Sequence, residues 1–210
     1  MIIVDVVSDH VCPWCYVGKR RLEKALNQRP DLKVEINWLP FQLNPDIPRE
    51  GKDRLEHMQS IFGEQRAAQI IDKLPEFGKQ DGLAFTYKPG SRSPNTLPAH
   101  TLMYWAAELG PETQHQLQEL LFAANFIDCN DIGDLEYLAK LAGEVGMDAT
   151  IVLQKLQAQE DEDVVLEHVR QNQLKGISGV PCFIFNNQHA VEGAQSVESL
   201  VSVLDQLSTG

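Results

Sequence analysis

The 210-residue chain is short of cysteine, short of basic residues and without a long apolar run, and each shortage removes a class of protein. Its four cysteines, Cys12, Cys15, Cys129 and Cys182, are too few and too unevenly spaced for a disulfide scaffold. They point instead to cysteine used for chemistry or for metal. Lys and Arg number 18 against 30 Asp and Glu, a formal net charge of −12. Binding phosphates needs a surplus of cations, so the balance argues against nucleic acid as a partner. No run of about 18 apolar residues occurs, so no membrane partner or span is expected. Asp5 and Asp9 interrupt the opening residues too early for a secretory leader, which makes the cytoplasm the expected location. What remains, 43% hydrophobic and 23% charged, is the composition of a globular protein with a substantial core.

Periodicity divides the chain into three parts. Ile2 to Val7 is a β-branched apolar run, Pro13 to Gln28 has a helical apolar face, and Lys33 to Phe41 alternates like a strand. The opening is therefore β-α-β, right-handed if the strands are parallel. From about Gly51 to Lys175 the pattern is almost all helical. The expected helices are Lys52–Phe62, Glu64–Lys79 (bent or broken at Pro75), Asn95–Leu109, Glu112–Asn125, Asp134–Val145, Asp148–Gln157 and Glu160–Leu174. The acidic run Glu160–Asp163 reads as a solvated first helical turn. The tail returns to strands, Cys182–Phe185 and His189–Val191 about an Asn186-Asn187 turn, then a helix over Ser196–Leu207. The expected fold class is α/β: residues 1–42 and 176–210 form one β-α-β plus β-β-α domain, and 43–175 form an all-helical insertion.

Cys12-Pro13-Trp14-Cys15 follows the first strand and opens a helix. A sulfur placed there meets unpaired backbone N–H groups and the positive end of the helix dipole, which favour a thiolate. Two intervening residues let the second thiol reach the first and resolve a mixed disulfide. Pro13 gives up only an N–H that the helix start does not use. Cys12 is expected to be the exposed attacking sulfur and Cys15 the buried resolving one. Half of a zinc site is the competing reading, but two further ligands at close spacing are missing, so no metal is assigned. His10 reads as a loop residue or a modest tuner of Cys12. Lys19, Arg20, Arg21 and Lys24 read as the solvated face of a locally basic helix.

Gly176 to Pro181 leads into the hairpin, and an X-Pro bond after glycines at a strand entrance is a good place for a cis peptide. Placed beside Cys12, Val180 and Pro181 would offer backbone for pairing with an extended substrate. Asn95 is expected at a helix start, as an N-cap or a substrate contact. Cys182, directly after the loop proline, reads as a small buried strand residue or as a third thiol near the pair. Cys129 is given no role.

Several segments together resemble the DsbA family of the thioredoxin superfamily, and within it the cytoplasmic FrnE-like branch. They are Ser8-Asp9 with the CPWC motif, Asn95-Thr96 with Ala99-His100, and Gly176 through Gly193-Ala194-Gln195, spread over nearly the whole chain. The resemblance implies a thioredoxin-like fold with a helical insertion and a thiol–disulfide oxidoreductase or isomerase. In that enzyme Cys12 is the nucleophile, Cys15 the resolving thiol and Val180-Pro181 the substrate-binding loop. Its partners would be protein or peptide thiols and disulfides, with glutathione as an electron donor and no cofactor beyond the redox-active disulfide. DsbA itself carries His where this chain has Trp14, so a strongly oxidising pair is not implied. Two alternatives share the architecture. A glutathione-dependent transferase or isomerase, of the kappa or 2-hydroxychromene-2-carboxylate type, would have Ser at Cys12. A peptide-binding or chaperone module would not need either thiol.

Overall fold

The computed structural model describes residues 1–208. The strand β1 (Ile2–Ser8), the helix α1 (Pro13–Asn27) and the strand β2 (Val34–Pro40) form the opening unit, with β1 and β2 parallel and Val6 opposite Trp38. A two-stranded ribbon, β3 (Lys52–Asp53) with β4 (Arg92–Ser93), brackets α2 (Arg54–Phe62) and α3 (Glu64–Lys79). Next come α4 (Leu97–Glu108), α5 (Pro111–Ala123) and a π-helical turn (Ala124–Asp128). They are followed by α6 (Leu135–Glu144), α7 (Ala149–Gln157) and α8 (Glu162–Leu174). The chain closes with β5 (Cys182–Phe185), β6 (His189–Glu192) and α9 (Val197–Ser208). The main sheet has the order β2-β1-β5-β6, with β5 antiparallel to β1 and Val7 opposite Cys182. This is the expected thioredoxin-like sheet with helices inserted between its halves. The final two positions of the expected 176–210 segment lie outside the described residues.

One buried apolar cluster runs from Val4, Val6 and Phe183 on the sheet, through Tyr16 and Leu22 on α1, to Phe122, Leu138 and Leu156 on the inserted helices. Burial of this kind, at about 25 cal/mol per Å², is what holds the insertion to the sheet. Asn186 and Asn187 turn the β5–β6 hairpin with φ of 51° and 55°, the left-handed pair that a tight hairpin requires.

The structure departs from the sequence reading at several points, among them Lys52–Asp53, a short strand rather than the start of a helix. Helix α3 runs through Pro75 without interruption. Residues 83–88, between the expected helices Glu64–Lys79 and Asn95–Leu109, are extended chain without regular structure: Leu83 and Phe85 alternate into the core while Thr86 N–H bonds to the Phe126 carbonyl at 2.9 Å. The acidic run is only in part a solvated turn: Glu160 and Asp163 are exposed, but Glu162 is buried against Arg49 at 2.8 Å and Asp161 accepts the Trp105 indole N–H at 2.7 Å.

The basic face of α1 is not solvated either. Lys19, with 2% of its side chain exposed, reaches Glu119 at 2.6 Å and Glu23 at 2.5 Å. Glu119 also accepts from the Tyr16 hydroxyl and from Arg20, each at 2.7 Å, and Arg21 and Lys24 share the buried Asp81. Carboxylates from the insertion thus clamp α1 in place. Burial alone would push the Glu23 carboxyl up, but its hydrogen bond to His115 and the charges of Lys19 and Arg20 outweigh that and hold it at about 2, against an ordinary 4.5. Burial is outweighed at Glu119 as well, by Lys19, Tyr16 and Arg20, and its carboxyl is held below the ordinary value.

Groups depressed in this way stabilise the fold fully above the ordinary carboxylate range, and the contribution is lost as pH falls through the folded values. Acid unfolding followed by circular dichroism is therefore expected to set in below about pH 4.5. Glu119→Ala should move that transition to higher pH and lower the urea-derived stability at pH 7 by about 1–3 kcal/mol, less than a fully buried pair because Glu119 is partly solvated.

Candidate active site

Strand β1 ends at Ser8, and the chain turns with Cys12 N–H bonded to the Asp9 carbonyl at 3.1 Å. Cys12 is the N-cap of α1, with extended backbone at φ −91° and ψ 110°, and Pro13 takes the first helical position. Cys15 N–H bonds to the Cys12 carbonyl at 3.0 Å, so the two sulfurs share the first helical turn. Both thiols are free. The Val180–Pro181 bond is cis, and the Cys12 thiol donates to the Val180 carbonyl at 3.5 Å. A Cβ at Gly18 would meet Phe183 Cζ at 3.0 Å and Pro181 Cγ at 3.1 Å. Glycine there lets α1 settle close against the strand that carries the loop.

Cys12 is not exposed as the sequence reading had it: 4% of it meets solvent, because Val180 and the neighbouring side chains close over it. It lines a groove instead. Cys15 is fully buried. Burial pushes its thiol well above the ordinary range, reinforced by the neighbouring Cys12, while Ser8 and the Asp9 backbone oppose the shift. Cys182 packs with Val7, Phe41 and Ile177, a buried cluster separate from the one that holds Cys12 and Cys15. Its thiol is also pushed up, by burial and by Glu192. Cys129 has a left-handed backbone at φ 58° after the π-helical turn and donates to the Thr86 carbonyl at 3.4 Å. Among the described residues, no group of three or more His, Cys, Asp or Glu is arranged to hold a metal ion.

Beneath the pair lies a buried polar bed that sequence reasoning did not assemble. Asp9 Oδ2 accepts the Leu43 N–H at 2.7 Å, and Oδ1 stands 3.5 Å from His100 Nε2, which bonds to the Phe41 carbonyl at 2.9 Å. The His10 and His100 rings lie 4.3 Å apart. Gln118 donates to His10 Nδ1 at 3.2 Å, and Asn125 Nδ2 donates to the His10 carbonyl at 3.2 Å. Burial first, and His100 second, push His10 well below the ordinary histidine range, so at neutral pH it carries no charge with which to hold a thiolate. The π-helical turn delivers Asn125, whose Oδ1 also accepts from Arg54. The Ser8-Asp9 and Ala99-His100 segments carry part of this bed, and the family resemblance that singles them out assigns them no role. Asn95 is engaged at both ends, accepting from Leu97 N–H at 2.9 Å and donating to the Ile47 carbonyl at 2.7 Å.

The groove has a volume of about 1010 Å³. Cys12, Trp14, Leu43, Phe126 and Val180 form one wall, and the helices α2 and α3 form the other. Trp14 is 49% exposed and meets the edge of Phe77 on α3, with ring centres 4.2 Å apart. Among the described residues, no helix is long and apolar enough to cross a membrane. Chemically, the arrangement offers a sulfur at a helix N-terminus and a backbone carbonyl alongside, both opening on a largely apolar channel, with a second sulfur within reach beneath the surface.

The DSBA-like thioredoxin domain family matches residues 3–205. YwbO of Bacillus subtilis is 30% identical over 188 residues, which covers 88% of this chain and 86% of YwbO. A structure described as a probable DsbA oxidoreductase from Streptomyces coelicolor superposes with a TM-score of 0.86 at 30% identity, covering 98% of this chain and 89% of that one. The cytosolic disulfide reductase DsbM from Pseudomonas aeruginosa, solved with GSH, shares the fold with a TM-score of 0.59 at 15% identity, covering 99% and 100%.

Alkylation of the reduced protein with iodoacetamide near pH 7.5, mapped by mass spectrometry, should label Cys12 well before Cys15 and Cys182. Both of those thiols are buried and raised. Equal labelling of Cys12 and Cys15 would contradict this division between groove and core.

Proposed function

The chain belongs to the DSBA-like thioredoxin domain family, and from that premise we propose that it is a thiol–disulfide oxidoreductase acting on protein or peptide disulfides through Cys12 and Cys15. The observation that carries the reading is the position of Cys12: N-cap of α1, one helical turn from Cys15, with its sulfur on the Val180 carbonyl and its face on the groove.

In the reducing direction, the Cys12 thiolate attacks one sulfur of a substrate disulfide and forms a mixed disulfide. The other substrate sulfur leaves as a thiolate and takes up a proton. Cys15 then gives up its proton and attacks the Cys12 sulfur. This closes the Cys12–Cys15 disulfide and releases the second substrate thiol, so two electrons and two protons have passed to the substrate. The high pKa of Cys15 holds it back until the mixed disulfide has formed. Val180 offers backbone to an extended substrate beside Cys12, as an added strand. A thiol reductant must then restore the pair, and glutathione is the chemistry we assign to that step. The name of DsbM, a cytosolic reductase solved with GSH, supports both that assignment and a cytoplasmic setting.

A transferase or isomerase that only activates glutathione needs a single hydroxyl at the helix start, whereas this chain places two thiols there. A non-enzymatic peptide-binding module leaves the paired sulfurs unexplained. The test is direct. Cys15→Ser should accumulate mixed disulfides visible on non-reducing gels, and Cys12→Ser should abolish both exchange and trapping. No trapped species with Cys15→Ser, or full activity in Cys12→Ser, would overturn the proposal.

A further inference from the structure

Helix α3 gives the groove wall a direction. Phe77, near its C-terminal end, sits on Trp14 of the active-site motif. Lys73 lies four residues back, about 6 Å along the axis, and Arg66 eleven residues back, about 16 Å along. All three line the groove, with the apolar Ile70 between Arg66 and Lys73 and Leu74 between Lys73 and Phe77. Arg66 extends over the Phe62 ring at 5.9 Å, and neither Arg66 nor Lys73 has a carboxylate partner among the described residues. The third cation on the wall, Arg54, is occupied by Asn125 and the Arg92 carbonyl. One carboxylate, Glu76, stands against these cations. In a chain of net charge −12, two unpaired cations along the wall of the groove that holds the reactive sulfur reverse the prevailing sign.

We propose that this groove selects polypeptide disulfides whose reacting cysteine is flanked by acidic side chains, the nearer meeting Lys73 and the farther meeting Arg66. The inference rests on the oxidoreductase reading and specifies its substrate class. An extended chain advances about 3.3 Å per residue. The two cations therefore match carboxylates about two and about five residues from the cysteine that bonds to Cys12. Apolar side chains between them would lie on Ile70. The Val180 backbone holds the strand at one side, and α3 reads its side chains from the other. Glutathione carries carboxylates but is too short to extend from Cys12 to Arg66, so the farther contact is a feature of polypeptides.

The probe is a set of cysteine peptides carried as mixed disulfides with thionitrobenzoate, with Glu, Ala or Lys placed two and five residues from the cysteine on either side. The Cys12 thiolate attacks the peptide sulfur, and thionitrobenzoate leaves as a coloured thiolate, so its release gives the second-order rate constant. The wild-type protein is expected to prefer the Glu peptide to the Lys peptide by about tenfold, the scale of two solvated ion pairs. The preference should shrink as salt is raised towards about 1 M, where the screening length falls to about 3 Å. The double variant Arg66→Glu/Lys73→Glu should reverse the order, an outcome that partial unfolding cannot produce. Equal rates for the Glu and Lys peptides, or a preference that survives the double reversal, would overturn the inference and leave the oxidoreductase reading standing. Failure of every peptide to release thionitrobenzoate would overturn the oxidoreductase reading itself.

Discussion

The pairing of β1 with β5 is the constraint from which the rest of the molecule follows. It sets Val7 opposite Cys182, and so brings the chain leaving β1 beside the chain entering β5. Cys12 and Val180, 168 residues apart, meet only because these two strands do. The entropy of closing so long a loop grows only with the logarithm of its length, so a large insertion is tolerated where the two strand ends are fixed. The insertion is not a passenger. Its helices continue the core of the sheet, its Glu119 clamps α1, and its Gln118 and Asn125 hold the loop that carries His10.

What could be read in the sequence was whatever is encoded locally. A helix N-terminus with two thiols is contained in four consecutive residues. The Asn186-Asn187 turn declares itself because few residues accept two positive φ angles in succession. The proline at 181 marks its own loop. The helices of the insertion announce themselves by period, although Leu83 and Phe85 show that buried apolar residues in such a region can belong to extended chain. The polar bed under the active site was invisible for the opposite reason. Asp9, His100, Gln118 and Asn125 come from four distant segments, and nothing in any one of them reveals that it faces the others. Charges misled in the same way. Lys19 and Glu162 look like solvent-facing residues until their partners, Glu119 and Arg49, arrive from elsewhere in the chain.

The electrostatic setting of the two cysteines follows from burial more than from any formal charge. His10 is neutralised by its surroundings, and the cations of α1 are matched by Glu23, Asp81 and Glu119. The polar groups beside the Cys12 sulfur are the helix terminus, the Val180 carbonyl and the Cys15 thiol. The fully buried Cys15, by contrast, is disfavoured as an anion. The two sulfurs of one helical turn thus differ in setting, Cys12 lining the groove and Cys15 enclosed in the core, and a dithiol used in sequence requires such a difference.

The distance along the chain between Cys12 and Val180 also has a consequence in time. A ribosome adds about 5–20 residues per second, so roughly ten to thirty seconds separate the synthesis of the two halves of this site. Throughout that interval β1 lacks its β5 neighbour, and the CPWC turn has no Val180 carbonyl across from it. The newborn protein carries its reactive sulfurs before it has the strand that gives them an address.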